Sequence, residues 1–287
     1  MKEDESKEEQ APISSARSMD TALFHKFRNI AYEKAGIAIK DGKEVMVSAR
    51  IFKRMRALGI DSHRNYLRYL EADTSGEELV NFLDSISTNF TSFFREREHF
   101  EVLRDYSTQW LKQGQMRFRF WSAACSSGEE PYSMAMVLSD IMNETKFADM
   151  KILATDISTV ALMKAKRGVY PLKALGNLSL GHKQTYFECA EGERYVSARV
   201  KEELKRMIVF KRFNLATPPY PMSGPFDIIL CRNVMIYFDR EVRQRFISEA
   251  ERLLKTGGLL MIGHSETLMG IKSSLKIIRP SIYIKPD

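Results

Sequence analysis

Hydrophobic residues recur at helical spacing through the first third of the chain, and glycines end two of the repeats, at Gly36 and Gly59. Ser75 followed by Glu78 matches the capping-box pattern that opens a helix. The predicted helices cover residues 20–35, 43–58, 62–72 and a stretch opened by Ser75. Together they predict a small helical domain over residues 19–88.

A different alternation begins near residue 116, where apolar runs of strand length are separated by helical patterns. The predicted strands cover residues 118–121, 151–156, 207–213, 226–231 and 259–263. Residues 275–279 and 281–285 flank Pro280 and are typical of a closing antiparallel pair. This order predicts an α/β fold with a doubly wound parallel sheet over residues 116–287, preceded by a linker and helix over residues 89–115.

Residues 171–206 depart from the α/β alternation. Residues 184–190 and 194–200 are strand-like on either side of Glu191-Gly192-Glu193, which favours a hairpin. We expect a small antiparallel β insertion about residues 171–206. Such an insertion could dock a partner by strand pairing, or it could be a structural flap.

Polar residues follow the predicted strands, where the carboxyl ends of parallel strands form one edge of the sheet. After the first strand comes a loop of small residues with Gly128, and Pro131 is expected to open the next helix. One glycine fits a cofactor loop and an ordinary connection equally, and the dinucleotide pattern G-x-G-x-x-G is absent. Asp156 ends the second strand, where such folds hold ribose hydroxyls, and Ser158 can cap the following helix.

Residues 89–96 break the helical pattern and combine three phenylalanines with polar groups and Arg95. The mixture fits a buried junction between domains. It also fits the wall of a site, because the planar guanidinium of Arg95 can bind a carboxylate or phosphate.

Composition predicts a globular protein that remains in the cytoplasm. Hydrophobic residues make up 44% of the 287-residue chain, no apolar run approaches the length of a membrane span, and residues 1–10 lack the features of a signal peptide. Residues 1–18 are polar and charged, so we expect a disordered tail. The three cysteines are scattered and suggest neither disulfides nor a zinc site, so no metal is expected.

A net charge of +7 favours an acidic partner, whether nucleic acid, a membrane surface or a protein. Basic residues of the second predicted helix fall on one stripe beside its apolar face, with Lys53 near the edge of that stripe. These residues are Lys43, Arg50, Lys53 and Arg54. The alternative is a solvated helix face without a partner.

Five motifs in order resemble the CheR-type chemotaxis receptor methyltransferases. They are Asn-Phe-Thr-Ser-Phe-Phe-Arg-Glu at 89–96, Ala-Ala-Cys-Ser-Ser-Gly-Glu-Glu-Pro-Tyr-Ser at 123–133, Ala-Thr-Asp-Ile at 154–157, Cys-Arg-Asn-Val-Met-Ile-Tyr-Phe at 231–238 and Gly-His-Ser-Glu at 263–266. The resemblance implies a Rossmann-like fold that binds S-adenosylmethionine and releases S-adenosylhomocysteine. It also implies methyl transfer to glutamate side chains on the cytoplasmic helices of chemoreceptors.

The resemblance also implies roles for individual residues. Arg95 and Tyr237 would lie nearest the transferred methyl group as catalytic residues, although either could serve only the cofactor. The basic stripe gains a role in binding the receptor. The residues that would contact the cofactor are Asn89, Thr91, Arg95, Glu130, Asp156, Asn214, Leu215, Asn233 and Val234. His264 is interpreted as a structural group, and Cys125 and Cys231 as packing residues.

Two other functions fit parts of the sequence. A nucleic-acid methyltransferase would use a basic surface, but amino-methylating enzymes are expected to carry a proline-containing loop after the fourth strand, where this chain has Arg232 to Tyr237. A non-catalytic binding module would keep the fold and recruit partners, which the intact site motifs argue against. The expected partners are therefore receptor cytoplasmic domains, with no nucleic acid and no membrane insertion, and the chain is expected to be a monomer.

Overall fold

The computed structural model describes residues 19–87, 90–144, 148–189 and 197–287, so the expected disordered tail lies outside the described residues. The chain divides into two compact units. The helical unit contains Ile39–Ile86 and the described residues before Ala31, and the sheet unit contains Ala31–Ala38 and the chain from Ser87 onward. The end of the first helix and the residues that follow it therefore group with the sheet.

All four predicted helices of the helical unit form. They are α1 (Thr21–Ala35), α2 (Glu44–Leu58), α3 (His63–Ala72) and α4 (Glu77–Ile86). Gly59 adopts the left-handed conformation that ends α2, and the Ser62 hydroxyl accepts the Asn65 N–H at the start of α3. Phe27 stacks on Tyr66 and packs against Phe82 in the core of this unit.

The predicted capping box at α4 is wrong. The Ser75 hydroxyl accepts the Glu77 N–H at 3.1 Å, but the Glu78 N–H donates to the carboxylate of Asp73 at 2.7 Å. The Glu78 carboxylate instead points inward and binds Arg54 and the hydroxyl of Tyr66. The guanidinium of Arg54 offers this buried carboxylate more than the exposed backbone N–H that a capping box would supply.

The sheet unit contains a seven-stranded sheet of order β6-β2-β1-β7-β8-β10-β9. Its first five strands are parallel, and β10 and β9 form the antiparallel pair predicted around Pro280. The strands are β1 (Arg117–Ser122), β2 (Asp149–Asp156), β6 (Ile208–Arg212), β7 (Phe226–Cys231), β8 (Leu254–Ile262), β9 (Lys276–Arg279) and β10 (Ile282–Ile284). The doubly wound fold is confirmed, although β8 begins at Leu254, earlier than predicted.

Helices precede the first strand and connect the parallel strands. They are α5 (Glu98–Lys112), α6 (Glu129–Glu144), α7 (Thr159–Arg167), α9 (Glu202–Lys205) and α10 (Arg240–Leu253). Ser158 and Asp239 cap α7 and α10 through hydrogen bonds to Ala161 and Val242. Pro131 was expected to open α6, but the helix begins at Glu129 and Pro131 lies in its first turn, where no intrahelical N–H is required.

The insertion contains a three-stranded antiparallel sheet of order β3-β5-β4, which confirms the expected β insertion. Its elements are β3 (Val169–Pro171), a 3-10 helix (Leu172–Leu175), α8 (Leu180–Tyr186), β4 (Phe187–Cys189) and β5 (Ser197–Val200). Residues 184–186 were expected to be strand, but they form the end of α8, whose first turn is capped by Ser179. The proposed turn at Glu191-Gly192-Glu193 lies outside the described residues.

Within residues 19–87, 90–144, 148–189 and 197–287, no helix combines the length and apolarity that a membrane crossing requires.

Candidate functional site

The carboxyl ends of β2, β1 and β7 open a crevice at one edge of the seven-stranded sheet. β1 is central, with β2 on one side and β7 on the other, so the connections after β1 and β2 lie beside those after β7. Ligands bind where strand connections diverge in this way. The polar residues singled out from the sequence lie in these connections.

The loop after β1 is fixed by the strand beside it. Cys125 N–H donates to the Thr155 carbonyl at 2.9 Å, and Ser126 N–H donates to the Asp156 carboxylate at 2.7 Å. Gly128 has φ +100°, and a Cβ atom there would lie 2.8 Å from the Ala165 Cβ and the Tyr170 hydroxyl. Only glycine fits this turn, which brings backbone close to the crevice.

Asp156 ends β2 with its carboxylate buried and oriented by backbone donors. In addition to Ser126, the Ser158 N–H donates to its Oδ1 at 2.9 Å. These bonds aim the carboxylate across the strand end, in the position from which a fold of this kind binds ribose hydroxyls. The contact with a ribose stays a prediction.

Arg232 is a buried cation that links three segments. Its Nη1 donates to Glu130 at 2.9 Å, and its Nη2 donates to Glu96 at 3.1 Å and to the carbonyl of Arg95. The Ser122 hydroxyl donates to the other Glu130 oxygen at 2.7 Å. Charge-assisted hydrogen bonds to two carboxylates compensate for burying this guanidinium.

The two acidic partners of Arg232 respond differently to their surroundings. Burial raises the pKa of Glu130, although Arg232 and Ser122 oppose the effect. Burial also favours a higher pKa for Glu96, but Arg232 and the Asn233 side chain outweigh it, so the net shift of the pKa of Glu96 is downward. Glu96 is therefore charged at neutral pH, which suits a group that anchors a cation.

Glu266 joins the connections after β7 and β8. Its carboxylate accepts the backbone N–H groups of Gly263 at 2.6 Å, Asn233 at 3.0 Å and Ile236 at 3.2 Å. Burial raises the pKa of Glu266 despite these donors. A Cβ at Gly263 would lie 2.9 Å from the backbone nitrogen of Asn233 and 2.5 Å from its side-chain amide nitrogen, so glycine is required for the two connections to approach this closely.

Four non-glycine residues at this edge hold left-handed backbone conformations. Their φ angles are 51° for Phe94, 55° for Glu96, 47° for Ser126 and 58° for Asn233. Conformations of this kind cost of order 1–3 kcal/mol each and persist where the surrounding contacts over-determine them. Their location in three separate segments of the edge indicates a site whose geometry is fixed before a ligand binds.

Arg95 and Tyr237 were predicted to lie nearest the chemistry. The Arg95 guanidinium donates to the Phe90 carbonyl at 3.0 Å and lies 5.7 Å from the centre of the Phe90 ring. Tyr237 is half-buried in a 3-10 helix (Met235–Tyr237) directly after the β7 connection. Among the described residues, its hydroxyl has no hydrogen-bond partner, which leaves it available to a ligand.

Asn214 follows β6 and holds the last turn of α1. Its side-chain amide donates to the Lys34 carbonyl at 2.8 Å, and its oxygen accepts the Ala216 N–H at 3.0 Å. Leu215 is buried beside it. Of the other predicted cofactor contacts, Thr91 and Val234 are half-buried, whereas Asn89 lies outside the described residues.

The predicted basic stripe of α2 separates into two kinds of residue. Arg54 forms a bidentate ion pair with buried Glu78, and Arg50 donates to the Ile86 carbonyl. Lys43 and Lys53 are exposed. The two arginines therefore have contacts inside the helical unit, and the two lysines carry the exposed charge of the stripe.

Arg232, Glu96 and Glu266 lie within the motifs found in the sequence, but no role was predicted for them. Their positions could have indicated a role, because each lies within four residues of the end of a strand or the start of a helix at the polar edge. His99 was missed as well. It lies in the first turn of α5 with no exposed surface, and burial, with a smaller contribution from Arg232, lowers its pKa to about 3.

Both units match known family models. Residues 22–87 match the model described as CheR methyltransferase, all-alpha domain, and residues 89–284 match CheR methyltransferase, SAM binding domain. The chain is 38% identical over 266 residues to the chemotaxis protein methyltransferase of Escherichia coli K12, covering 93% of this chain and 91% of that protein. It is 39% identical over 263 residues to the one from Borreliella burgdorferi, covering 89% and 91%.

Proposed function

This chain belongs to the CheR methyltransferase family and is an S-adenosylmethionine-dependent methyltransferase, and on that premise we propose that it methylates glutamate side chains of chemotaxis receptors. The observation that carries the proposal is the match to both family models and to relatives named chemotaxis protein methyltransferase over nine tenths of the chain. The products would be glutamyl methyl esters and S-adenosylhomocysteine.

The residues at the sheet edge fit this cofactor. Asp156 supplies a carboxylate for ribose hydroxyls, and the turn at Gly128 allows backbone to approach the ligand closely. Asn214 and Leu215 would lie near the adenine, and Asn233 and Val234 near the methyl-bearing end. Glu130 accepts hydrogen bonds from Ser122 and Arg232, so its role is to fix the position of the Arg232 guanidinium beside the cofactor.

The reaction requires no catalytic base. A glutamate side chain has an ordinary pKa of about 4.3, so the attacking carboxylate is already ionised at neutral pH. The bound cofactor supplies an electrophilic methyl group on a sulfonium. The task left to the chain is to hold the carboxylate in line with that carbon, and such positioning can contribute roughly 7–11 kcal/mol in favourable cases.

Arg95 and Tyr237 are the groups proposed to do the positioning. The guanidinium of Arg95 provides paired donors that match a carboxylate, and it would exchange its bond to the Phe90 carbonyl for the substrate. The Tyr237 hydroxyl, which has no hydrogen-bond partner among the described residues, can donate to the carboxylate or to the cofactor. Exclusion of water from the space around Arg95 and Tyr237 would remove part of the hydration shell of the attacking carboxylate.

Separate measurements of binding and transfer test these roles. We expect Arg95→Ala to lower single-turnover methyl transfer to a receptor fragment by about 100-fold, the loss typical of a misplaced reactant. Tyr237→Phe should lower it less. Affinity for S-adenosylhomocysteine, measured by calorimetry, should change less than about threefold in both variants, a difference well under 1 kcal/mol.

Arg97→Ala is the matched control, because this exposed arginine is two residues away and donates to the Asn177 carbonyl at 3.3 Å. It should retain wild-type transfer. If Arg95→Ala and Tyr237→Phe lost cofactor affinity while bound cofactor turned over normally, the two residues would be cofactor contacts only. A wild-type chain that bound S-adenosylhomocysteine but methylated no receptor fragment would contradict the proposed substrate.

We propose that the receptor is approached by the helical unit. Lys43 and Lys53 present positive charge that complements glutamate-bearing helices, and charges of this kind act mainly on the rate of encounter. Arg50 and Arg54 remain candidates for receptor contact, although each has contacts within the unit. We further propose that the protein acts as a monomer in the cytoplasm, where the receptor domains that carry the glutamates lie.

A further inference from the structure

Three side chains of the sheet unit bring metal-ligating atoms together outside the residues assigned to the reaction. They are Glu96, which precedes α5, His99 in the first turn of α5, and His264 in the connection after β8. One ligand atom from each lies within 4.8 Å of the other two. Imidazole nitrogens and a carboxylate oxygen are the ligand types that zinc prefers.

The neighbours of His99 allow the tautomer that a metal ligand needs. The Ser281 hydroxyl donates to the Pro280 carbonyl at 2.6 Å. The Ser281 oxygen, 2.9 Å from His99 Nε2, can then accept the Nε2 proton, which leaves a lone pair on Nδ1.

That lone pair is directed at a second acceptor. His99 Nδ1 lies 3.4 Å from Glu96 Oε2, and among the described residues it has no hydrogen-bond partner although the His99 side chain has no exposed surface. A buried nitrogen without a partner, beside a carboxylate oxygen, is a position where a cation would satisfy both atoms. A cation bonded to both atoms at about 2.0–2.2 Å in tetrahedral geometry would place them roughly 3.4 Å apart.

We propose that Glu96, His99 and His264 bind a divalent transition-metal ion, with zinc the best match to their ligand types and a water molecule completing the shell. His264 is the exposed ligand, through which an ion would enter. Ser281 orients His99, and Arg232 orients Glu96, as the outer partners of metal ligands commonly do. The inference is independent of the proposed receptor substrate.

Three carboxylates and one guanidinium lie around the cluster. The carboxylates are those of Glu96, Glu130 and Glu266. The guanidinium is that of Arg232, which pairs with Glu96 and Glu130. A bound ion would connect the segment before α5 to the connection after β8, two segments that both contact Asn233. It would therefore stabilise the folded chain through preferential binding.

Cysteine spacing could not reveal such a site, because none of the ligands is a cysteine and His264 lies far along the chain from the other two. Glu96 and His99 do show a local signal, since they are only three residues apart in the sequence. That signal alone is too common to identify a metal site.

Cobalt and zinc titrations of the full-length chain test the proposal. Cys189 is exposed, so a Cys189→Ser background removes a thiol that would bind these ions elsewhere. After chelation and dialysis, we expect one saturable site per chain, seen as visible absorption with Co²⁺ and as a 1:1 isotherm with Zn²⁺. His264→Ala should weaken affinity at least about tenfold, whereas His25→Ala, which removes another exposed imidazole, should leave it unchanged.

Ser281→Ala provides a second variant that keeps all three ligands. It removes the acceptor that fixes His99, and affinity should fall by about 10- to 100-fold while circular dichroism confirms the fold. Zn²⁺ should also raise the unfolding temperature reversibly in the parent chain but not in His264→Ala. Absence of a saturable site, or equal affinity in the parent and His264→Ala, would overturn the proposal. Cofactor binding and receptor methylation, measured with a chelator present, test the proposed function separately, so failure of the metal proposal would leave the proposed function standing.

Discussion

Arg54 and Lys53 are neighbours in the sequence and carry the same charge, but they differ in their contacts. Lys53 is exposed, whereas Arg54 makes a bidentate pair with Glu78, whose carboxylate is 4% exposed and also accepts the Tyr66 hydroxyl. Helical periodicity placed both residues near one stripe, because periodicity reports the direction of a side chain and not its partner. A buried carboxylate on another helix decides which of the two stabilises the fold.

Arg54→Ala should therefore destabilise the helical unit by about 3 kcal/mol, because it leaves the Glu78 carboxylate buried without its cation. Lys53→Ala, the matched control, should change stability by less than about 0.5 kcal/mol. Hydrogen exchange of the α2 and α4 amides is the suitable measurement, since a global midpoint would mix the two units. Equal effects from the two substitutions would show that the ion pair adds nothing to stability.

Asp140 makes the stability of the sheet unit depend on pH. Burial favours a higher pKa, but the hydrogen bonds from Tyr186, Arg104 and His182 outweigh it and hold the pKa of Asp140 below its ordinary value. The unfolded chain then binds the proton first as pH falls. The stability from these bonds is complete above about pH 5, where an ordinary Asp with a pKa near 3.9 is ionised, and it is lost as pH falls through the lower folded pKa.

Asp140→Asn should accordingly lower the free energy of unfolding by about 1.5 kcal/mol at pH 7, the typical contribution of hydrogen bonds to a charged group. The gap between wild type and variant should narrow below about pH 4, where an ordinary Asp in the unfolded chain is protonated. Asp105→Asn on the exposed face of α5 serves as the control. Thermal unfolding from pH 7 to pH 3, followed by the fluorescence of Trp110 and Trp121, which both lie in the sheet unit, measures both variants. A gap that is constant with pH would contradict the assignment.

Among the elements, those with strong periodicity were predicted well. The four helices of the helical unit and the five parallel strands form where the apolar pattern indicates, because each buries one face or one run of side chains. The errors lie where tertiary contacts override a local pattern. Residues 184–186 have a strand-like composition, but Tyr186 reaches Asp140 from the end of α8, a contact 46 residues away in the sequence.

The turn after β1 is an element whose shape can be tested with a pair of glycines. Gly128 and Gly114 have similar φ angles, +100° and +94°. A Cβ at Gly128 would lie 2.8 Å from Ala165 and from Tyr170, whereas a Cβ at Gly114 would have no atom of the described residues within 4 Å. Both alanine substitutions incur the backbone strain, on the order of 1 kcal/mol. Only Gly128→Ala adds a clash.

Gly128→Ala should therefore be less stable than Gly114→Ala by about 1–3 kcal/mol, the usual cost of overpacking. It should also bind S-adenosylhomocysteine more weakly, because the turn borders the crevice. Urea unfolding and calorimetry compare the two variants directly. If both lost the same stability and affinity, backbone conformation alone would account for the glycine.

At the scale of the whole molecule, the sequence predicted the edge of the sheet that carries the site but not the pairs that hold it. Strand order places Asp156, Asn214 and Asn233 at one edge, which follows from topology. Arg232 and Glu96 are 136 residues apart, and nothing in the spacing of either indicates the other. Glu266 likewise binds Asn233 across 33 residues, so these contacts required the folded structure.

The excess positive charge of the molecule should govern how it meets its substrate. At an ionic strength of 0.01 M the Debye length is about 30 Å, and at 0.15 M it is about 8 Å, so distant charges act only at low salt. We expect kcat/KM for a receptor fragment to fall at least about tenfold over this range, the lower end of electrostatic steering. Affinity for S-adenosylhomocysteine should change much less, because its contacts are short-range.

A pair of double variants separates a local surface from the overall charge. Lys43→Glu with Lys53→Glu lowers the net charge from +7 to +3, since each exchange removes two positive charges, and Lys26→Glu with Lys173→Glu does the same at other exposed positions. If the stripe meets the receptor, the first variant should lose most of the salt dependence and the second should keep most of it. Equal losses would assign the steering to net charge, and an unaltered rate in both would exclude an electrostatic approach.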